Sequence, residues 1–181
     1  MDIVTIYEGH LYSIQYDEKD ENEFDRLFDE WNDVEAVLQF MVQHKAFLKN
    51  KIWSRVVEPE DAARQVLNEA EYLENRFDEL NENTIKGKIP DFDSHFKYLD
   101  GPVYYSEWKQ TPMKSYGNGR PSFLRIYAIK LEPNVYVVTG GGIKLADSIQ
   151  NSPDLQDHVF CNIKMVRDWL KRCGITDHND I

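Results

Sequence analysis

The stretch that best suggests chemistry is the predicted strand FLRIYAIKL, residues 123–131. Side chains on a strand alternate between its two faces, so Arg125 and Tyr127 are expected on one face with Phe123 and Ile129, opposite Leu124, Ile126 and Ala128. Lys144 ends the next predicted strand. A guanidinium and an ammonium group suit a phosphodiester, and a phenol can stack on a base or transfer a proton. We therefore predict Arg125, Tyr127 and Lys144 as catalytic residues.

The preceding segment, KQTPMKSYGNGR, adds basic and aromatic residues without any acidic residue. Basic side chains interleaved with aromatic ones on a flexible backbone are typical of contacts to single-stranded RNA. This pattern predicts RNA-binding roles for Lys109, Lys114, Tyr116 and Arg120. A structural reading stays open beside it, because an arginine next to a tyrosine is common on half-exposed strands and a basic loop can simply be solvated.

Three consecutive glycines, Gly140 to Gly142, raise the question of a phosphate-binding loop. Neither G-x-x-x-x-G-K-[ST] nor G-x-G-x-x-G is present, and no βαβ unit surrounds the glycines. A glycine near the end of a strand more often marks a bulge or a close approach to the backbone. We therefore expect a packing role for these glycines and no nucleotide cofactor.

The segment DFDSH places Asp91, Asp93 and His95 two residues apart, which on an extended strand would point three metal-ligating side chains the same way. Aspartates near a proline more often form Asx turns, and no fourth ligand stands at a recognisable spacing. The sequence also lacks H-E-x-x-H and C-x-x-C motifs. We expect no metal site, no cofactor, and reduced thiols at Cys161 and Cys173.

The elements that must position these residues follow from hydrophobic periodicity, which changes along the chain. Two β-rich segments, residues 3–7 and 10–16, flank Glu8-Gly9 and predict a hairpin. Three helical stripes follow, from Phe24 to Trp31, from Val34 to Leu48 and from Pro59 to Leu80. Residues 84–122 are predicted to be mostly irregular, with an edge strand in VYYSEWK. Strands over 123–131 and 135–144 and a helix near 154–172, capped by Ser152-Pro153-Asp154 and closed by Gly174, complete the chain.

This order predicts an α+β fold, with a small antiparallel sheet, a closing C-terminal helix and an acidic helical N-terminal region in one domain over residues 1–181. Residues 1–100 hold 24 Asp and Glu against 11 Lys and Arg, whereas residues 101–181 hold 8 against 10. The first region is therefore strongly acidic and the second slightly basic. The chain shows no secretory leader and no apolar run of membrane-spanning length, so we expect a cytoplasmic protein.

The arrangement LRIYAIKLEPNVYVVTGGGIKLADS, followed by SPDL and a helix, resembles the C-terminal half of the RelE/HigB-like toxins of bacterial toxin–antitoxin pairs. The resemblance covers roughly residues 120–172. Arg125 matches the arginine of the family's L-R-[IV] strand, Lys144 matches the lysine after the second strand, and Tyr127 and Tyr136 fall in the hairpin.

The resemblance implies a small ribonuclease that cleaves messenger RNA, often on the ribosome. Attack by the ribose 2′-hydroxyl would be assisted by basic and aromatic side chains rather than by a metal. It also implies an antitoxin-like protein partner. The alternative is a non-catalytic binding or structural protein that has the sheet and a protein partner but no nuclease activity.

Overall fold

The computed structural model describes residues 1–17, 19–53, 58–88, 91–99, 110–118 and 121–181. Within these residues the protein is α+β, with helices on both faces of a six-stranded sheet. The strands lie side by side in the order β1 (Asp2–Tyr7), β2 (Leu11–Gln15), β6 (Val135–Ile143), β5 (Leu124–Glu132), β4 (Thr111–Tyr116) and β3 (Lys97–Tyr98). Every strand pair is antiparallel except β2 with β6, which run parallel. The predicted fold class is confirmed, and the sheet combines strands from the acidic and the basic regions.

The N-terminal hairpin forms as predicted. Strand β1 is Asp2–Tyr7 and strand β2 is Leu11–Gln15. Gly9 lies between them with φ of +74°, a conformation that glycine adopts without the strain of a Cβ atom. Strand β2 then pairs with β6 through Leu11–Ser13, so the hairpin extends the sheet built by the C-terminal region.

One face of the sheet is covered by a helical layer from the acidic region. It contains α1 (Glu23–Asn32), α2 (Val34–Gln43), the short α3 (Lys45–Leu48), a 3-10 turn (Lys51–Trp53) and the long α4 (Pro59–Ile85). The second predicted helix is divided at His44, where the backbone leaves helical geometry. Pro59 occupies the first turn of α4, as predicted, because its missing N–H has no partner to lose there.

The remaining strands are β3 (Lys97–Tyr98), β4 (Thr111–Tyr116), β5 (Leu124–Glu132) and β6 (Val135–Ile143). The antiparallel pairing of β5 with β6 is confirmed, and Asn134 in their turn has φ of +62°. The prediction of an irregular backbone over residues 84–122 is wrong for 111–116, which pair with β5 along their whole length. The predicted edge strand VYYSEWK lies outside the described residues.

The closing helix α6, Val159–Cys173, covers the other face of the sheet and ends at Gly174 in the left-handed conformation. The predicted start near residue 154 is wrong, because Ser152 and Asp154 bind the end of β6 instead of capping a helix. The Oγ atom of Ser152 accepts from the Leu145 N–H at 2.8 Å, and Asp154 Oδ2 accepts from the Ile143 N–H at 2.6 Å. Residues 153–158 form turns before α6 begins.

The core has two sides, separated by the sheet. On the side of the helical layer, Leu124, Ile126 and Ala128 pack with the apolar stripes of α1 and α4. On the side of α6, the four residues predicted to face the body are all buried: Val159, Ile163, Val166 and Leu170. Among the described residues, no helix combines the length and the apolar character needed to cross a membrane.

Candidate functional site

The register of β4 against β5 places four of the predicted site residues side by side. Lys114 pairs with Tyr127, and Tyr116 pairs with Arg125. Residues directly opposite each other on paired strands point to the same face, so all four side chains lie on the α6 side of the sheet. Phe123, which alternation assigned to this face, instead stacks on Trp53 of the helical layer with ring centroids 3.9 Å apart.

Arg125 is 8% exposed and is held near the start of β5, an inner strand of the sheet, by several contacts. Its Nη1 atom donates to the carbonyl oxygens of Ser122 and Leu124, at 2.9 and 2.6 Å, and to the Ser122 hydroxyl at 3.1 Å. Its Cζ atom lies 4.3 Å from the centroid of the Tyr116 ring, which is cation–π geometry. These contacts fix the guanidinium against one face of the tyrosine ring.

Lys144 follows β6 and lies close to the same arginine. Its Nζ atom donates to the carbonyl oxygen of Asp147 at 2.6 Å. Burial lowers the pKa of the Lys144 ammonium, and the positive charges of Arg125 and Lys114 lower it further. Lys114 also lies near the ring of Tyr116, with its Nζ atom 5.8 Å from the centroid. We call Lys114, Tyr116, Arg125 and Lys144 the basic cluster.

Tyr127 adjoins the basic cluster but belongs to the core. It is 1% exposed and packs among Leu99, Ile149, Leu155, Val159 and Ile163. Burial raises the pKa of its phenol, which therefore stays protonated. Arg125 and Tyr127 are both buried, so neither lies on an accessible face, and α6 with the segment before it covers Tyr127. Their catalytic roles stay predictions, as do the RNA-binding roles of Lys109 and Arg120, which lie outside the described residues.

The triple glycine has the packing role that the sequence predicted. A Cβ atom on Gly142 would lie 2.4 Å from Asp154 Oδ2, and one on Gly141 would lie 2.7 Å from a methyl group of Leu27. A Cβ atom on Gly140 would meet Glu23 at 3.2 Å. The pairing of β5 with β6 also shifts register beside Gly140, between Tyr127 and Ala128. Glycine is thus needed because side chains from both sides approach the strand backbone.

One of those approaching side chains, Glu23, lines a crevice along β6, beyond the point where β2 stops pairing with it. The Tyr16 hydroxyl donates to the Thr139 carbonyl oxygen at 2.7 Å, and His158 Nε2 lies 3.3 Å from the Gly141 carbonyl oxygen. Burial raises the pKa of Asp154, which accepts from the Ile143 N–H. The crevice has a volume of about 520 Å³ and is lined by Tyr16, Glu23, Arg26, Glu30, His158 and Asn162.

Sequence reasoning missed this crevice, although the glycines were a signal for it. Three adjacent residues without side chains imply that something else occupies the space beside them. The sequence alone does not say which residues do so, because Glu23 lies more than a hundred positions before Gly140 and reaches it through the packing of α1. Arg26 binds both carboxylate oxygens of Glu23, at 3.1 and 2.7 Å, so the glutamate enters the crevice as one half of an ion pair.

The segment DFDSH forms one helical turn, α5 (Phe92–His95), rather than a strand. Asp91 caps this turn by accepting from the Ser94 N–H, in agreement with the Asx-turn interpretation. Asp93 binds the β5–β6 hairpin, where it accepts from Lys130 Nζ, the Asn134 N–H and the Tyr136 hydroxyl. His95 is directed into the core against Phe77. The three side chains therefore have separate structural roles.

Comparison of the chain with protein families, with curated proteins and with solved structures found no match. The geometry described above therefore provides the basis for a functional proposal.

Proposed function

We propose that the protein binds single-stranded RNA through the basic cluster and cleaves it without a metal ion. The observation that carries this proposal is the convergence of three cationic side chains, Lys114, Arg125 and Lys144, around Tyr116 at one end of the sheet. Such an arrangement suits a phosphodiester with a neighbouring base.

The exposure of each side chain indicates which residues can contact RNA and which can only support the site. Lys114, Tyr116 and Lys144 are all partly exposed, so they can touch RNA. Arg125 lies behind Tyr116 and acts as a positioning residue, which holds the ring and adds positive charge to the site. Tyr127 supports the cluster from the core. Direct contact with RNA is therefore assigned to Lys114 and Tyr116 on β4 and to Lys144, whereas Arg125 and Tyr127 on β5 support them.

Cleavage requires that one proton is removed from the ribose 2′-hydroxyl and that another is supplied to the departing 5′-oxygen. A lowered pKa increases the neutral fraction of Lys144 at a given pH, and the neutral amine can accept the proton of the ribose 2′-hydroxyl. The 2′-oxygen then bonds to phosphorus while the bond from phosphorus to the 5′-oxygen breaks. The hydroxyl of Tyr116 gives a proton to the departing oxygen, and the products are a 2′,3′-cyclic phosphate and a 5′-hydroxyl. Lys114 and Arg125 stabilise the negative charge that develops on the phosphate oxygens.

The test uses the full-length protein and a fluorescent single-stranded RNA in the presence of EDTA. Replacement Lys144→Ala should lower the cleavage rate by about 100-fold, because it removes the proton acceptor. Lys114→Ala should weaken binding and reduce the slope of log affinity against log salt by about 0.7. Lys164→Ala, an exposed lysine on α6, is the matched control and should change neither quantity. Equal cleavage by the Lys144 and Lys164 variants would refute the assigned site.

A second candidate function is binding of a basic protein partner without catalysis. A cavity of about 500 Å³ beside β1, α1 and α4 is lined by the rings of Tyr7, Phe24 and Phe28 and by four carboxylates, Asp25, Asp29, Glu74 and Asp78. Burial raises the pKa of Glu74, and the neighbouring carboxylates Asp78 and Asp29 add to the shift. Carboxylates above aromatic rings suit a lysine or arginine side chain.

Inducible expression separates the two functions. Growth arrest with loss of messenger RNA, abolished by Lys144→Ala, supports the nuclease. Harmless accumulation supports the binding protein. In that case a lysine-rich peptide should bind the purified chain, and the double replacement Glu74→Gln and Asp78→Asn should weaken its binding about 10-fold, which corresponds to about 1.4 kcal/mol.

A further inference from the structure

A group of metal-ligating side chains lies at the end of β5 opposite the basic cluster, where residues 177–180 pack beside the sheet. Strand β5 ends at Glu132, and a short 3-10 helix, His178–Asp180, lies beside it. The carboxylate oxygen Oε1 of Glu132 accepts from the His178 N–H at 3.0 Å and lies 2.5 Å from the ring atom Nδ1. The Glu132 carboxylate and the His178 imidazole are therefore in contact, and the hydrogen bond from the His178 backbone N–H fixes their relative position.

Asp177, the residue that caps the 3-10 helix, completes the group. Its Oδ1 atom accepts from the Asn179 N–H at 2.8 Å, and a reciprocal bond from its own N–H to Asp180 fixes the turn. One ligand atom from each of Glu132, Asp177 and His178 lies within 4.8 Å of the others. The side chains of His178 and Glu132 are 45% and 32% exposed, so an ion can reach them from solvent.

We propose that Glu132, Asp177 and His178 form a binding site for a divalent transition metal of the zinc type. Bonds of about 2.0–2.2 Å from zinc to nitrogen and oxygen put neighbouring ligand atoms about 3.0–3.5 Å apart. Glu132 Oε1 and His178 Nδ1, 2.5 Å apart, would separate by about 0.5–1 Å to admit the ion, and the remaining separations, at most 4.8 Å, would close by up to about 1.3–1.8 Å. The metal takes the place of the hydrogen between Nδ1 and Oε1, and solvent fills its remaining positions.

The donor set decides which metal the site takes. Two carboxylates alone would suit Mg²⁺ or Ca²⁺, but an imidazole nitrogen favours zinc and its neighbours among the transition metals. The site uses none of the residues of the basic cluster, so it is independent of the RNA proposal. A bound metal would join residues 177–178 to the end of β5 and thereby stabilise the contact between the 3-10 helix and the sheet.

The experiment is a calorimetric titration of the full-length protein with ZnCl₂ at pH 7.5. Both exposed cysteines, Cys161 and Cys173, are first replaced by serine in every sample, because thiolates bind zinc strongly. We expect one zinc per chain. His178→Ala and Glu132→Gln should each weaken binding at least 10-fold, the smallest effect that loss of even an outer-shell partner commonly has.

The matched control is His44→Ala, which removes a histidine from the helical layer and should leave zinc affinity unchanged. A tenfold excess of Mg²⁺ should not displace the zinc. The proposal is overturned if the parent protein binds no zinc, if His178→Ala binds as tightly as the parent, or if Mg²⁺ competes equally, since the imidazole would then contribute nothing. Circular dichroism of each variant checks that the replacement preserves the fold.

Discussion

Lowering the pH from 7.5 to 5.0 is expected to destabilise the folded protein through His95. This ring lies edge-on to Phe77, with centroids 4.7 Å apart, and its Nε2 atom is buried without a hydrogen-bond partner among the described residues. Burial lowers the pKa of His95 from 6.5 to about 4, and the positive charges of Arg76 and Lys97 add to the shift. The proton is therefore bound more weakly in the folded state than in the unfolded state.

The sign and size of the effect follow from linkage. Because the folded pKa is depressed, the stabilisation is fully present above the unfolded pKa and is lost as the pH falls toward the folded value. A shift from 6.5 to about 4 corresponds to a total of about 3 kcal/mol. At pH 5.0 His95 is mostly protonated in the unfolded state and mostly neutral in the folded state. This difference lowers the free energy of unfolding by about 2 kcal/mol.

The assay is urea denaturation of the wild type and of His95→Phe at both pH values. The phenylalanine ring retains an edge for contact with Phe77 but cannot take up a proton. Other titrating groups contribute to both proteins and cancel in the comparison, so the wild type should lose about 2 kcal/mol more than the variant between pH 7.5 and 5.0. Equal losses in the two proteins would refute the assignment of this pH dependence to His95.

Three further expectations concern unfolding free energies, measured by chemical denaturation. Gly142→Ala should cost about 2–5 kcal/mol, because the new methyl group displaces the Asp154 carboxylate and because the φ of +156° at this position strains a residue with a Cβ atom. Gly9→Ala meets no atom within 4 Å and should cost only the strain of its positive φ, about 1–2 kcal/mol. Similar losses in the two variants would contradict the close-approach argument. Asp93→Ala should cost about 1–3 kcal/mol, since three donors lose their acceptor, and a loss under 0.5 kcal/mol would show that water replaces it. Burial raises the pKa of Glu69, so the wild type should lose stability as the pH rises through that pKa. Glu69→Gln should lack this loss. An identical pH profile in the two proteins would exclude Glu69 as the origin of the loss.

The local elements were predictable because short-range patterns determine them. The stripes of α1, α4 and α6 and the β-branched and aromatic runs of β5 and β6 each follow from a few neighbouring residues. The covering of the Arg125 face was not predicted. The segment FLRIYAIKL is nearly continuous in apolar residues, a pattern typical of strands buried on both faces, and this argues against an accessible face. The burial of Tyr127 follows from that pattern.

The candidate site was predictable in its composition and only partly in its geometry. Lys114 and Tyr116 were assigned to an irregular loop because the proline at position 112 and the glycines at 117 and 119 conceal the strand β4 between them. The crevice along β6 depends on Glu23 and His158, which tertiary packing brings to the glycines from both ends of the chain. Contacts of this kind leave no periodic trace in the sequence.

The parallel pairing of β2 with β6 has a consequence for the order in which the chain acquires its structure. Leu11 pairs with Tyr136, so this contact spans 125 positions and cannot form until most of the chain has been synthesised. The β1–β2 hairpin is synthesised before β6, so one edge of β2 stays unpaired while helices α1 to α4 are made. Long-range pairing of this kind slows folding and leaves that edge open to other strands. Completion of β6 is therefore the step that covers this edge of β2.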